Sequence, residues 1–281
     1  MIPQAISATF LVSLADAFWL SLLFKAALTA TIIVSASLIV ERGGPFLGAM
    51  IASLPTSVGA AYIVMATEHT PAFIGQSAIG SLAANAAGVT FAAVYALLAR
   101  RQSLFTSLGV ALLVWFAFTS LLRLADFTLT SALILNIAVA AVTIPLTAGT
   151  RYAAVERNVI ARKPYDIPVR AAAVSLFVVI VTTLSHTIGA TASGVFAVFP
   201  MAMSSFIVIL HSRIGGPATA NVIAHAQIPL LGLIPAFTAV HLLSPTAGVW
   251  WALLIGLFAS LAWNLFLWFR RRRDAARLPL E

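Results

Sequence analysis

The chain has no cysteine among its 281 residues. Disulfides, thiolate nucleophiles and Cys-ligated metals are therefore excluded, and the redox compartment leaves no trace. Charge is almost as scarce, at 9% of residues, where a soluble globular domain carries roughly 25%. All eight acidic residues (Asp16, Glu41, Glu68, Asp126, Glu156, Asp166, Asp274, Glu281) fall at the ends of apolar runs, in connections or in tails. No carboxylate sits inside an apolar run, which weighs against a carboxylate-driven cation/proton exchanger and leaves anions, zwitterions or neutral solutes. H-E-x-x-H, G-x-S-x-G and a phosphate-cradling Gly-Lys loop are missing too, so no hydrolase or ATPase signature is present and no enzyme is expected. His69, His186, His211 and His241 lie at run ends, too scattered for a metal signature. Neither a metal nor a cofactor is expected. The first 16 residues carry no basic residue before their apolar stretch, which does not fit a cleaved signal peptide.

Apolar residues dominate instead, at 61%, with a mean hydropathy of +1.04. Nothing this apolar can hide its surface from water, so the expected solvent is lipid. Stretches of about 20 apolar residues span the hydrocarbon core as helices. Nine are read here, at roughly 17–40, 46–67, 72–99, 104–122, 127–149, 171–187, 189–211, 218–243 and 247–269. Alternate connections hold 14 of the 16 basic residues; the others are Arg123 and Lys25. The positive-inside rule makes the basic set cytoplasmic. The expected placement is a multi-pass protein of the bacterial inner membrane, N-terminus out and C-terminus in, and the net charge of +8 reports orientation rather than a nucleic-acid partner.

The chain also reads as two copies. Pro55 and Pro200 lie 145 residues apart, and Gly44 with Gly189 and Ala52 with Ala197 keep the same offset. The expected organisation is an N-terminal segment (1–16), membrane repeat 1 (17–122), a linker helix (127–149), a basic cytoplasmic loop (150–170), membrane repeat 2 (171–269) and a basic tail (270–281). Five crossings separate equivalent positions, so the copies point in opposite directions. The expected fold class is an all-α polytopic membrane protein with an inverted 4+1+4 repeat and a proline-broken helix in each half.

Proline inside a span removes a donor and frees a carbonyl, and in lipid such groups must be satisfied internally or line a wet cavity. The candidate substrate-binding residues follow: Ser53, Pro55, Thr56 and Ser57 at the first break, and Pro200, Ser204 and Ser205 at the second. Asn221 and His225 are added because they share a helix face and because an ionisable residue within a span is a functional candidate. The bland alternative for His225 is a histidine bonded within its own helix. Gln76, Ser77, Ser81 and Asn85 form a second polar strip. Lys25, inside the first span, either snorkels outward or is a fixed counter-charge.

The run Gly44-Pro45-Phe-Leu47-Gly48-Ala49-Met-Ile-Ala52-Ser-Leu54-Pro55 resembles the G-P-x-L-G-G-x-x-A-x-L-P pattern of a family of uncharacterised bacterial integral-membrane proteins, with Ala49 in place of the second glycine. At fold level the layout is similar to inverted-repeat carriers with broken helices, such as the bile-acid symporter and holin-like exporter groups. The likeness is one of fold alone and assigns no site. The paired proline breaks in an inverted repeat themselves point to a secondary transporter for a small anionic or neutral organic solute, bound at the midplane between the repeats. The expected partners are membrane lipids and the solute, with proton or sodium coupling and a homo-oligomer both open. The alternative is a non-transporting membrane scaffold, assembly partner or lipid-handling protein.

Overall fold

The computed structural model describes residues 19–35, 56–151 and 166–276. Every regular element among them is helical. The helices are α1 (Trp19–Ser35), α2 (Thr56–Glu68), α3 (Pro71–Leu98), α4 (Leu104–Leu122), α5 (Leu129–Leu146), the single turn α6 (Ala148–Arg151), α7 (Asp166–Ala197), α8 (Met201–Leu230), α9 (Leu233–Ala247) and α10 (Val249–Ala276). Hydroxyls start three of them. Thr70 accepts from the Phe73 N–H, Ser103 from Thr106, and Thr128 closes a capping box with Ser131, each satisfying donors the first turn leaves unpaired.

Five helical stretches are long and apolar enough to cross a membrane. Their outer faces carry bare Phe105, Leu113, Ile134, Leu176, Trp251 and Phe258, which fits a surface solvated by acyl chains. The protein is thus built to sit in a membrane. One of the five stretches, 167–247, is not a single rod. It is interrupted after Ala197, again at Leu231–Gly232, and at two glycines with positive φ, Gly189 (80°, ψ 172°) and Gly215 (79°, ψ 169°). That region of backbone space is essentially closed to side-chain-bearing residues, so one glycine makes each helix-to-helix corner. A Cβ on Gly189 would touch nothing within 4 Å. Gly189→Ala is therefore expected to cost only the backbone strain, about 1–3 kcal/mol, read as a lowered thermal midpoint in detergent.

Helix α3 is the hub. Its middle is buried almost without interruption, and it packs against α4, α5, α7, α8 and α9. Along α3 and the α8–α9 arm, Gly75 meets His241, Asn85 meets Leu230 and Ala99 meets Gly216. One number climbs as the other falls, so the two elements run antiparallel. Helix starts recur along the chain at one offset. Thr56 and Met201, Pro71 and Gly216 (just past the Gly215 corner), and Leu104 and Val249 are each 145 residues apart.

The basic connection expected at 150–170 is shorter than its charge pattern implied. Helix α7 already begins at Asp166, so Arg170 is a helical residue, and its Nε is buried without a partner. Hydropathy placed that boundary late because Arg170 and Asp166 look like loop charges.

Candidate functional site

The segment of α7 after Gly189 crosses α3 at backbone contact. A Cβ on Gly194 would run into the backbone of Ser77, and one on Gly80 into that of Thr191. Only glycine permits helices this close. The crossing lies next to a break, and the break leaves carbonyls over. At the end of α7 the Val198 N–H turns to the Val195 carbonyl, 3.3 Å away. Ser81 then donates to the Gly194 carbonyl at 2.7 Å, and Tyr62 donates to Ser81 at 2.7 Å. A tyrosine of α2 and a serine of α3 thus satisfy backbone that the proline break exposes, as a lipid-embedded chain requires.

The break itself is packed with aromatic rings. Phe199 stacks among Trp115, Phe116 and Phe177 at centroid distances of 5.0, 5.7 and 5.0 Å. Pro200 caps α8 from outside the helix. Ser205 donates to the Ala202 carbonyl at 2.9 Å, whereas Ser204 Oγ is buried with no partner. In the first half, Ser53 and Pro55 lie outside the described residues, as does the side chain of Thr56. Ser57 is buried. Its neighbours Val58 and Ala61 share one hydrophobic cluster with Ala197, Val198, Met201 and Ala202. The start of α2 and the break before α8 therefore share one hydrophobic core.

Asn221 and His225 are held by backbone. The Asn221 amide donates to the carbonyls of Thr150 and Arg151 at 3.1 and 2.9 Å, capping α6. His225 donates through Nδ1–H to the Asn221 carbonyl at 2.9 Å, so its Nε2 carries the lone pair. Of the second polar strip, Ser77, Ser81 and Asn85 are fully buried. Asn85 donates to Asn136 Oδ1 at 2.9 Å, and Asn136 donates to the Leu82 carbonyl at 2.7 Å, which locks α5 onto α3.

A cavity of about 490 Å³ lies beside the crossing, lined by Gly80, Ala83, Thr119, Arg123, Asp126 and the corner Gly189–Thr191, among others. Arg123 and Asp126 are at the helix ends, while Gly80 and Ala83 lie nine and twelve residues after Pro71 in α3. At 1.5 Å per residue the cavity reaches ~14–18 Å along that helix, about its midpoint. Its lining includes neither Pro200 nor the serines after it.

Sequence reasoning missed a second constellation at the same end. Lys25 on α1 is buried, and its Nζ lies 3.0 Å from Glu68 Oε1. Of the two readings of Lys25, snorkelling does not fit a buried side chain: a carboxylate at the end of α2 is within reach, and the lysine pairs with it. Glu68 Oε2 is 3.3 Å from His186 Nε2 on α7. His69 stacks on Phe73 with centroids 3.8 Å apart, and its centroid is 4.5 Å from that of His186. His69 and His186, scattered in the sequence, are neighbours in the fold. With Glu68 they form a group of three metal-ligating side chains whose donor atoms all lie within 4.8 Å. Burial, then the adjacent His186, pushes His69 below the usual histidine value, against the pull of Glu68. Ser185 spends its proton on the Thr182 carbonyl (2.5 Å), so His69 donates Nε2–H to Ser185 Oγ (2.6 Å) and keeps its lone pair on Nδ1.

No family model, curated protein or solved structure matches this chain.

Proposed function

We propose that this protein is a secondary carrier for a small anionic or neutral organic solute, built from two inverted copies of a four-helix unit joined by α5. One observation carries the reading: helix starts repeat at a 145-residue offset, while α3 and its counterpart across that offset pack antiparallel. Broken helices in matching positions of two such halves are the common architecture of alternating access. On this reading the nine spans comprise four per copy and the connector, and Glu68, Arg123 and Asp126 face the outside. The cavity beside Gly189 is then an outer vestibule reaching towards the midplane, with the start of the helix after the corner in its wall. Asp126→Cys and Arg101→Cys test the topology, since both positions are exposed and the chain has no native thiol. Asp126→Cys is expected to react with an impermeant maleimide in intact cells, and Arg101→Cys only after permeabilisation. The reverse pattern overturns the orientation.

The function is tested by a solute-accumulation screen in proteoliposomes, with and without a pH gradient. His225, with Nε2 free to take a proton, is the residue assigned to coupling. His225→Gln is expected to lose uphill, pH-driven accumulation and to keep downhill exchange of labelled for unlabelled solute. If the variant still concentrates solute, the histidine is structural and its bond to Asn221 is its whole role. The aromatic packing around Phe199 favours one other reading, a scaffold whose halves do not move. A protein that carries none of the screened solutes yet co-purifies with lipid or a membrane partner would match it.

A further inference from the structure

We propose that Glu68, His69 and His186 form a binding site for a divalent transition metal of the zinc type, clamping the end of α2 to α7. Two imidazoles and one carboxylate, with a fourth position open, suit zinc, nickel or copper rather than magnesium or calcium. All three donor atoms lie within 4.8 Å of one another, and one pair already has the spacing of a formed site. Ligand atoms bonded at about 2.0–2.1 Å around a tetrahedral metal stand roughly 3.3 Å apart. Glu68 Oε2 and His186 Nε2 are 3.3 Å apart, so an ion enters between them by displacing the proton they share.

The outer shell is in place as well. Metal-binding histidines usually donate their second ring N–H to a fixed oxygen, which sets the tautomer. His69 already donates Nε2–H to Ser185, which is itself bonded to the Thr182 carbonyl, leaving Nδ1 for the metal. Lys25 holds Glu68 through the other carboxylate oxygen at 3.0 Å, orienting the ligand. Its positive charge also opposes a second cation, which makes the site a reversible, micromolar binder rather than a permanent structural one. His186 is half exposed and provides the entry path. It lies three residues before the Gly189 corner, so a bound ion would hold the helix that leads into that turn.

The test uses the full chain, free of any histidine tag, in nanodiscs, titrated with zinc chloride by calorimetry at pH 7.5 with magnesium as the control ion. One zinc per chain is expected, with no magnesium heat. His186→Ala and His69→Gln are each expected to weaken binding by at least about tenfold, while His225→Gln leaves it unchanged. Lys25→Gln keeps a donor on Glu68 but removes the charge, and zinc is expected to bind roughly fivefold more tightly or better. Zinc should raise the thermal midpoint of the wild type and not that of His186→Ala, and binding should weaken on acidification as the imidazoles take protons. Zinc heat that survives both histidine substitutions, or a Kd in the millimolar range, overturns the site. On the carrier reading bound zinc slows exchange; that consequence rests on carriage, whereas the binding experiments do not.

Discussion

Gly194→Ala is expected to leave little correctly folded protein. The added methyl group would fall on the backbone of Ser77, not on a side chain that could swing away. Overpacking a well-packed core costs about 1–3 kcal/mol when side chains can give way; here two helix backbones must separate, so the cost is expected to exceed about 3 kcal/mol. Separation also breaks the donation from Ser81 to the Gly194 carbonyl and strands that carbonyl in an apolar surrounding. The measurement is the yield of monodisperse protein and its thermal midpoint. Gly88→Ala is the control, since a Cβ there meets nothing within 4 Å in the interior of α3. It is expected to raise stability by about 0.5–1 kcal/mol. Equal losses from both substitutions would mean that the crossing is looser than its geometry implies.

The second large effect concerns Glu68. Glu68→Leu leaves Lys25 buried and unpaired, because the carboxylate is its ion-pair partner at 3.0 Å. Breaking a buried pair from one side typically costs about 3–5 kcal/mol. The double substitution Lys25→Met with Glu68→Leu removes both charges and is expected to recover most of that loss, since an apolar pair of similar volume is often neutral or better. A double variant no more stable than the single one would show that Glu68 is held chiefly by His186, not by the lysine. Thermal unfolding of the wild type, Glu68→Leu, Lys25→Met and the double variant in one detergent makes the cycle complete.

The parts of this molecule written in short stretches of sequence were legible. An all-helical chain fit for a membrane followed from its apolar runs, although α8 (Met201–Leu230) bridges two of the runs read separately; the break at Pro200 followed from the missing N–H. The inward face of Ser77, Ser81 and Asn85 followed from helical spacing on an apolar helix. Harder to read were the corners at Gly189 and Gly215. A glycine within an apolar run looks the same whether it sits mid-helix or at positive φ, and only the packing on either side distinguishes the two. The interruption at Leu231–Gly232 carries no signal beyond Pro229. Least legible was the Lys25–Glu68–His69–His186 group. Its members come from α1, the end of α2, the connection after it and α7; Lys25 alone reads as an isolated charge inside a span and the other three as span-end residues. Hydropathy locates such residues along the membrane normal but says nothing about which of them face one another across the bundle.

Asn85 bonds Leu230, 145 residues further along the chain. On the proposed inverted-repeat reading these are equivalent positions, and an exact dyad would place the same residue twice at this point. This chain places two different ones: Asn85 brings the amide, Leu230 offers its carbonyl, and Asn136 of α5 joins Asn85 to the Leu82 carbonyl. On that reading, severing the chain between α5 and α7 should yield two fragments that recognise each other and do not pair with themselves.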